Sequence, residues 1–177
     1  LLHQEVSKNQ LIPYEDFISY STSAEIDYIP ANEMLAGAIG ILGIDSDSSN
    51  VLNRIFEHEF FEKYDYIVID CKPALDLIVT NALKSCDKLI IPVQSELWSY
   101  EGVDQMLKIL ARTKGKDITP YIGGILLTMF RKNTTMSKSV LEAVKASYGD
   151  HVFNTTISFR AEVGNSTVTQ DCLVTKK

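Results

Sequence analysis

An α/β fold with a parallel sheet covered by helices is what this sequence predicts, from three observations. Short apolar, β-branched runs alternate with amphipathic helical segments. The runs are apolar on both faces, as in strands covered on two sides. One run, Ile67-Val68-Ile69, ends on a lone carboxylate, Asp70, with Pro73 breaking the backbone shortly after. A buried parallel strand delivers an acid to the ligand-binding edge of an α/β sheet in this way.

Along the chain, Glu25–Ile29 reads as a short strand stopped by Pro30. Ser48–Lys63 reads as a helix with Leu52, Ile55, Phe56 and Phe60 on one face, followed by the strand Tyr66–Asp70. Pro73 suits the opening of the next helix, where Leu75, Ile78, Val79 and Ala82 form an apolar stripe. Lys88–Val93 is a second buried strand. Tyr100–Arg112 is a helix with Val103, Met106, Leu107 and Leu110 inward, stopped near Gly115. Ile122–Met129 is a third buried strand. Ser137 is placed as the cap of a helix reaching Tyr148, with Gly149 as its stop. Val152–Ile157 is a last strand, and the polar stretch beyond it has no convincing pattern. No repeat, low-complexity tract or linker divides residues 1–177, so one domain is expected.

Composition bounds the function. The chain has 177 residues, 45% apolar and 23% charged, enough for a full core in one domain. No apolar run approaches the length of a bilayer span. The net charge of -6 argues against a domain-wide nucleic-acid footprint, while a local basic patch stays open. Cys71, Cys86 and Cys172 are odd in number and far apart, which reads as free thiols in a reducing cytoplasm. His3, His58 and His151 are equally scattered, so a zinc site is not expected.

Asp70 has two readings from the residues alone, a metal-holding acid at a strand end or a cap for the following helix. The phosphate loop G-x-x-x-x-G-K-[ST] does not occur. The only Gly-Lys pair is Gly115-Lys116, followed by Asp117, and Gly37, Gly40 and Gly43 do not make a G-x-G-x-x-G fingerprint. Asp45-Ser46-Asp47-Ser48-Ser49-Asn50 hints at a calcium loop but has Asn50 where a glycine is needed and Phe56 where a bidentate glutamate belongs. No nucleophile elbow is present. Arg131, Lys132, Lys138 and Lys145 gather around the helix after the third strand. Lys138 and Lys145 are one heptad apart, a face that suits DNA phosphates or simply solvent.

Taken in order, these motifs resemble the ParA/Soj family of partition ATPases, the deviant-P-loop class that includes MinD. Seven segments carry the resemblance: Ile26-Asp27-Tyr28-Ile29-Pro30-Ala31 with Leu35-Ala36; Tyr64-Asp65-Tyr66-Ile67-Val68-Ile69-Asp70-Cys71-Lys72-Pro73; Asn81-Ala82-Leu83; Ile91-Pro92-Val93-Gln94 with Glu96; Glu101-Gly102; Gly124-Ile125-Leu126-Leu127-Thr128-Met129; and Gly149-Asp150-His151-Val152-Phe153. Lys72 departs from the family, which usually has a proline there, and Ser158 stands where the family often has another.

The resemblance implies a partial doubly wound parallel sheet of P-loop NTPase type, lacking the N-terminal P-loop unit and incomplete at both ends. It implies ATP and Mg²⁺ as cofactors of an intact member, with Asp70 the Walker B acid holding Mg²⁺ through water. Thr128, Met129, Ser158, Phe159 and Arg160 would lie near the base, and Arg131, Lys132, Lys138 and Lys145 would face DNA. The implied partners are a second copy in a nucleotide-dependent homodimer, non-specific DNA and a ParB-like centromere-binding protein, in the nucleoid-associated cytoplasm and without a membrane. This stretch alone is expected to bind no nucleotide tightly. With the family's first strand missing, it is also expected to leave ladder groups unpaired and to aggregate. Two other readings stand beside this one, a non-enzymatic ParA-like interaction module and a MinD-like membrane-cycling ATPase. The second needs an amphipathic C-terminal helix, for which Thr167–Lys177 is too short and irregular.

Overall fold

The computed structural model describes residues 1–7, 12–31, 33–72, 76–96, 101–169 and 173; of Met34, Ala36, Glu101 and 167–169 it describes the backbone alone. They fall into two compact units, Leu1–Ser85 and Cys86–Leu173.

The first unit opens with α1 (Leu2–Ser7) and a single turn at Tyr14–Phe17. Strands β1 (Ser19–Ser21) and β2 (Ile26–Tyr28) then form an antiparallel hairpin in which Tyr20 faces Asp27 across the ladder. The predicted strand near Ile26 therefore exists, but it pairs locally rather than in a parallel sheet. After a turn at Glu33–Gly37 come α2 (Ala38–Leu42), α3 (Val51–Phe56) and α4 (Leu77–Ser85). Leu42, Val51, Ile55 and Phe61 are its buried centre, with Tyr14, Leu52, Phe56, Phe60, Leu77 and Ile78 packed around them.

The single long helix expected over Ser48–Lys63 is two pieces. His58 is extended at φ -73°, ψ 137° and its side chain accepts the Phe60 N–H at 3.2 Å. This starts a new turn at Glu59–Lys63 and swings Phe60 and Phe61 onto Tyr14, with ring centroids 5.8 and 5.3 Å away. Aromatic packing overrides the helical period here.

Asn81 is the unit's hidden fastener. It is 1% exposed, and its Oδ1 accepts the Leu52 N–H at 3.0 Å. Its Nδ2 donates to the carbonyls of Ser48 at 2.8 Å and Leu77 at 2.9 Å. The residue preceding α3, Asn50, makes no side-chain cap of its own, so α4 supplies the cap from 29 residues away. Arg54 adds a second tie, reaching Glu5 at 3.2 Å and Asp45 at 2.6 Å.

The predicted buried strand Tyr66–Asp70 is not a strand among the described residues. It pairs with no other segment, and Tyr66 and Val68 are 90% and 91% exposed. A β-branched run has high strand propensity, but it gains ladder hydrogen bonds and burial only from a neighbour, and no described residue pairs with it. Pro73 and Leu75 lie outside the described residues.

The second unit is a parallel βαβ core. Strand β3 (Leu89–Gln94) leads through α5 (Glu101–Lys114) to β4 (Ile122–Thr128), paired in parallel from Leu89 opposite Ile122 to Gln94 opposite Thr128. Ile91, Val93, Val103, Ile125, Leu127, Val140, Val144 and Val152 are buried together. Burial in β3 alternates, with Ile90 52% exposed on the other face, rather than covering both faces as expected. Helix α5 stops at Gly115, whose φ of +101° only glycine adopts freely. Helix α6 (Thr135–Tyr148) stops at Gly149, φ +54°. Its cap is Thr134, which accepts the Ser137 N–H; Ser137, expected as the cap, is inside the first turn and 2% exposed.

Val152–Ile157, read as a strand, follows β4 only through isolated parallel bridges. Phe153 N–H donates to Ile125 O at 3.0 Å and Ile157 N–H to Leu127 O at 2.8 Å. Gly124 lets this segment approach: a Cβ there would sit 2.6 Å from the Phe153 ring. The polar C-terminal stretch holds a further helix, α7 (Ala161–Thr169), that its sequence did not announce. Among the described residues no helix is long and apolar enough to cross a membrane.

Candidate functional site

The residues singled out from the sequence fall in both units. In the first, Asp70 is exposed and has no hydrogen bond or ion pair with any described residue. The helix cap that competed with its metal reading belongs to another residue. Asp76 Oδ1 accepts the N–H groups of Ile78 at 3.0 Å and Val79 at 3.2 Å, at the start of α4. Asp76 also pairs with Lys72, four residues back. The Lys72 ammonium, then the Val79 and Ile78 N–H groups, hold its carboxyl below the ordinary aspartate range. Lys72, which stands where the family usually has a proline, is paired with Asp76.

In the second unit, the carboxyl ends of β3 and β4 form one edge, where ligands bind in parallel sheets. Thr128 is the last residue of β4 and its hydroxyl donates to Val93 O at 3.4 Å. Met129 follows in the left-handed region, φ +50°, and is 45% exposed. A non-glycine residue gives up about 1–2 kcal/mol to sit there. Phe130 then turns back into the sheet, donating its N–H to Ile157 O at 2.9 Å and accepting from Phe159 N–H at 3.0 Å. Ser158 is thus bridged to Phe130, and the Arg131 guanidinium lies 3.9 Å over the Phe159 ring, a cation–π stack at the surface. Arg160 is exposed one residue before α7. The structure thus brings Thr128, Met129, Arg131, Ser158 and Phe159 to one edge. Lys132 is exposed in the loop before α6, and Lys138 and Lys145 are exposed on α6 itself, two turns apart.

Sequence reasoning missed a buried hydroxyl pair under this edge. Ser95, 3% exposed, donates to Met129 O at 3.0 Å and meets Ser137 Oγ at 3.1 Å. Ser137 Oγ in turn accepts the Arg131 N–H at 3.3 Å. Thr134 closes the group, its hydroxyl 3.0 Å from Arg131 O and 2.9 Å from Ser137 Oγ. Two serines 42 residues apart carry no spacing signal.

Mg²⁺ keeps several waters and takes one or two carboxylates besides phosphate oxygens, so a single uncommitted carboxylate such as Asp70 fits its outer coordination. The exposed Met129 and the Arg131–Phe159 stack suit a flat base. No group of three or more His, Cys, Asp or Glu converges among the described residues. The sequence of the chain holds no Gly-Lys loop to cradle phosphates, Gly115-Lys116 being a helix stop. No hydrolytic step follows from these residues alone.

An AAA domain family model (AAA_31) matches residues 2–120. The chain is 38% identical over 146 residues to the sporulation initiation inhibitor protein Soj of Bacillus subtilis, covering 80% of this chain and 56% of Soj. It is 31% identical over 144 residues to the chromosome partitioning protein ParA of Caulobacter vibrioides, covering 80% of this chain and 54% of ParA. Among solved structures, a plasmid partition protein of Borrelia burgdorferi B31 bound to AMPPNP superposes with a TM-score of 0.76 at 25% identity, over 98% of this chain and 66% of that one. The chain spans about half the length of these curated relatives. The fold is thus α/β with a parallel sheet, of the kind seen in P-loop NTPases, and the chain belongs to the ParA/Soj family of partition ATPases within the AAA domain family.

Proposed function

We propose that this chain is the Mg²⁺- and base-side portion of a ParA-type DNA-partitioning ATPase, forming one domain in the intact protein. One observation carries the reading. Asp70 ends an apolar β-branched run and is uncommitted among the described residues, because Asp76 caps α4 and engages Lys72. In this reading Asp70 holds Mg²⁺ through water, and Thr128, Met129, Ser158, Phe159 and Arg160 line the base side. Phosphate contacts come from a Gly-Lys loop outside these residues. ATP then drives a homodimer that binds DNA non-specifically through Arg131, Lys132, Lys138 and Lys145. A ParB-like DNA-bound partner stimulates hydrolysis and releases it, in the nucleoid-associated cytoplasm. The Borrelia relative's complex with AMPPNP supports ATP as the nucleotide.

One other reading stands beside this one, a non-catalytic module that pairs with an intact ATPase. Fluorescence anisotropy on the longer reading frame containing this chain, with random-sequence duplex DNA, separates them. ATP-dependent binding that weakens steeply with salt, and weakens at least tenfold in Lys138→Glu/Lys145→Glu, supports the ATPase. Salt-insensitive or ATP-independent behaviour, or a reading frame without a Gly-Lys loop, supports the module.

A further inference from the structure

We propose that Ser95 and Ser137 are positioning residues that hold Met129 left-handed and thereby set the base-side edge. This rests on the reading of that edge as the place where a nucleobase stacks. The geometry gives the pair one job. A carbonyl cannot donate, so the contact between Ser95 Oγ and Met129 O at 3.0 Å takes the Ser95 proton. Ser137 then donates to Ser95 across their 3.1 Å contact, and Arg131 N–H donates to Ser137 at 3.3 Å. The chain of donors runs from the backbone N–H of Arg131 to the backbone carbonyl of Met129, through two buried hydroxyls. It clamps both sides of Phe130, the residue by which the turn re-enters the sheet.

Three features make this a device rather than ordinary core satisfaction. The clamped residue, Met129, is a non-glycine at φ +50°, a conformation that needs support from its surroundings. The clamp joins the end of β3, the loop after β4 and the first turn of α6, so it couples all three at the ligand edge. Directly beyond it, Arg131 stacks on Phe159, so a shift in the Met129–Phe130 turn moves the stack.

Hydrogen exchange resolved to single amides, on the longer reading frame containing this chain, tests the proposal. The amides to follow are Phe130 and Phe159, bonded beside the turn, with Phe153, bonded to Ile125 at the other end of the same segment, as control. Ser137→Ala and Ser95→Ala should each lower protection at Phe130 and Phe159 about tenfold while leaving Phe153 within about twofold. In a Met129→Gly background, where the left-handed turn needs no support, adding Ser137→Ala should change Phe130 by less than about twofold. Ser137→Thr, which keeps the hydroxyl, should restore the wild-type pattern. Equal loss at Phe153, or no suppression by glycine, would show plain core stabilisation and overturn the proposal. Millimolar adenosine and guanosine form a second arm. Adenosine should protect residues 129–131 and 159 more than guanosine in wild type, and Ser137→Ala should erase the difference. If the turn responds selectively but neither nucleoside protects it in wild type, the clamp holds the turn while the nucleobase reading of this edge fails.

Discussion

Asn81 offers the sharpest test of how the first unit holds together. Replacing it with alanine removes the bond from Leu52 N–H and the two bonds to Ser48 O and Leu77 O, at a site 1% exposed. Each of the two bonds lost to a carbonyl costs on the order of 1 kcal/mol net, and the Leu52 N–H left without a partner at the start of α3 costs about 1–3 kcal/mol. The sum is about 3–5 kcal/mol, large against the stability of a small domain. Asn81→Asp is the informative companion. The carboxylate still accepts from Leu52 but faces two carbonyl oxygens with no proton to give, so burial and repulsion raise its folded pKa above the unfolded value of about 3.9. The penalty is present at neutral pH and fades as pH falls through that raised value, because the protonated acid donates again. Thermal melting of the longer reading frame, followed by circular dichroism, should show Asn81→Ala lowered by roughly 6–20 °C. Asn81→Asp should be at least as low at pH 7, with the gap to wild type narrowing in acid. A melting temperature within about 2 °C of wild type for Asn81→Ala, with unchanged exchange at Leu52, would show that Asn81 does not cap α3.

Two further outcomes follow from the same geometry. Asp76 has a lowered pKa, so its contribution to α4 is present above its unfolded value and is lost as pH falls through the lower folded one. Lys72→Ala should move the Asp76 titration upward in a carboxyl-carbon NMR experiment while α4 stays capped, and no movement would contradict the ion pair. Tyr66 and Val68, two apart and almost fully exposed, should drive association of the isolated chain, visible as concentration-dependent light scattering that Val68→Lys reduces. A soluble monomer of these residues that unfolds cooperatively and reversibly would contradict that expectation.

What was legible in the sequence was local and periodic. The apolar faces around Val103 and Leu110, and around Val140 and Val144, placed α5 and α6, and Gly115 and Gly149 marked their ends. Leu89–Gln94 and Ile122–Thr128 were readable as strands because each is a short, nearly continuous apolar run. What was not legible depended on partners distant in sequence. A strand signal at Tyr66–Asp70 is real propensity that goes unused without a neighbour. The break at His58 follows from Tyr14, more than forty residues earlier, drawing Phe60 and Phe61 toward it. The cap on α3 comes from Asn81, and the clamp on Met129 comes from Ser95 and Ser137. At the candidate site the residue types and order were readable, and the competition between Asp70 and Asp76 was not. Only the geometry gave the cap to Asp76.

Mg²⁺-dependent ATP turnover by the longer reading frame, wild type against Asp70→Asn, tests the role of Asp70 most directly. The asparagine keeps the shape and removes the charge that attracts Mg²⁺. If Asp70 holds Mg²⁺, kcat falls at least about a hundredfold, with a raised Mg²⁺ requirement and an unchanged melting temperature. Wild-type turnover and Mg²⁺ dependence in Asp70→Asn would contradict it.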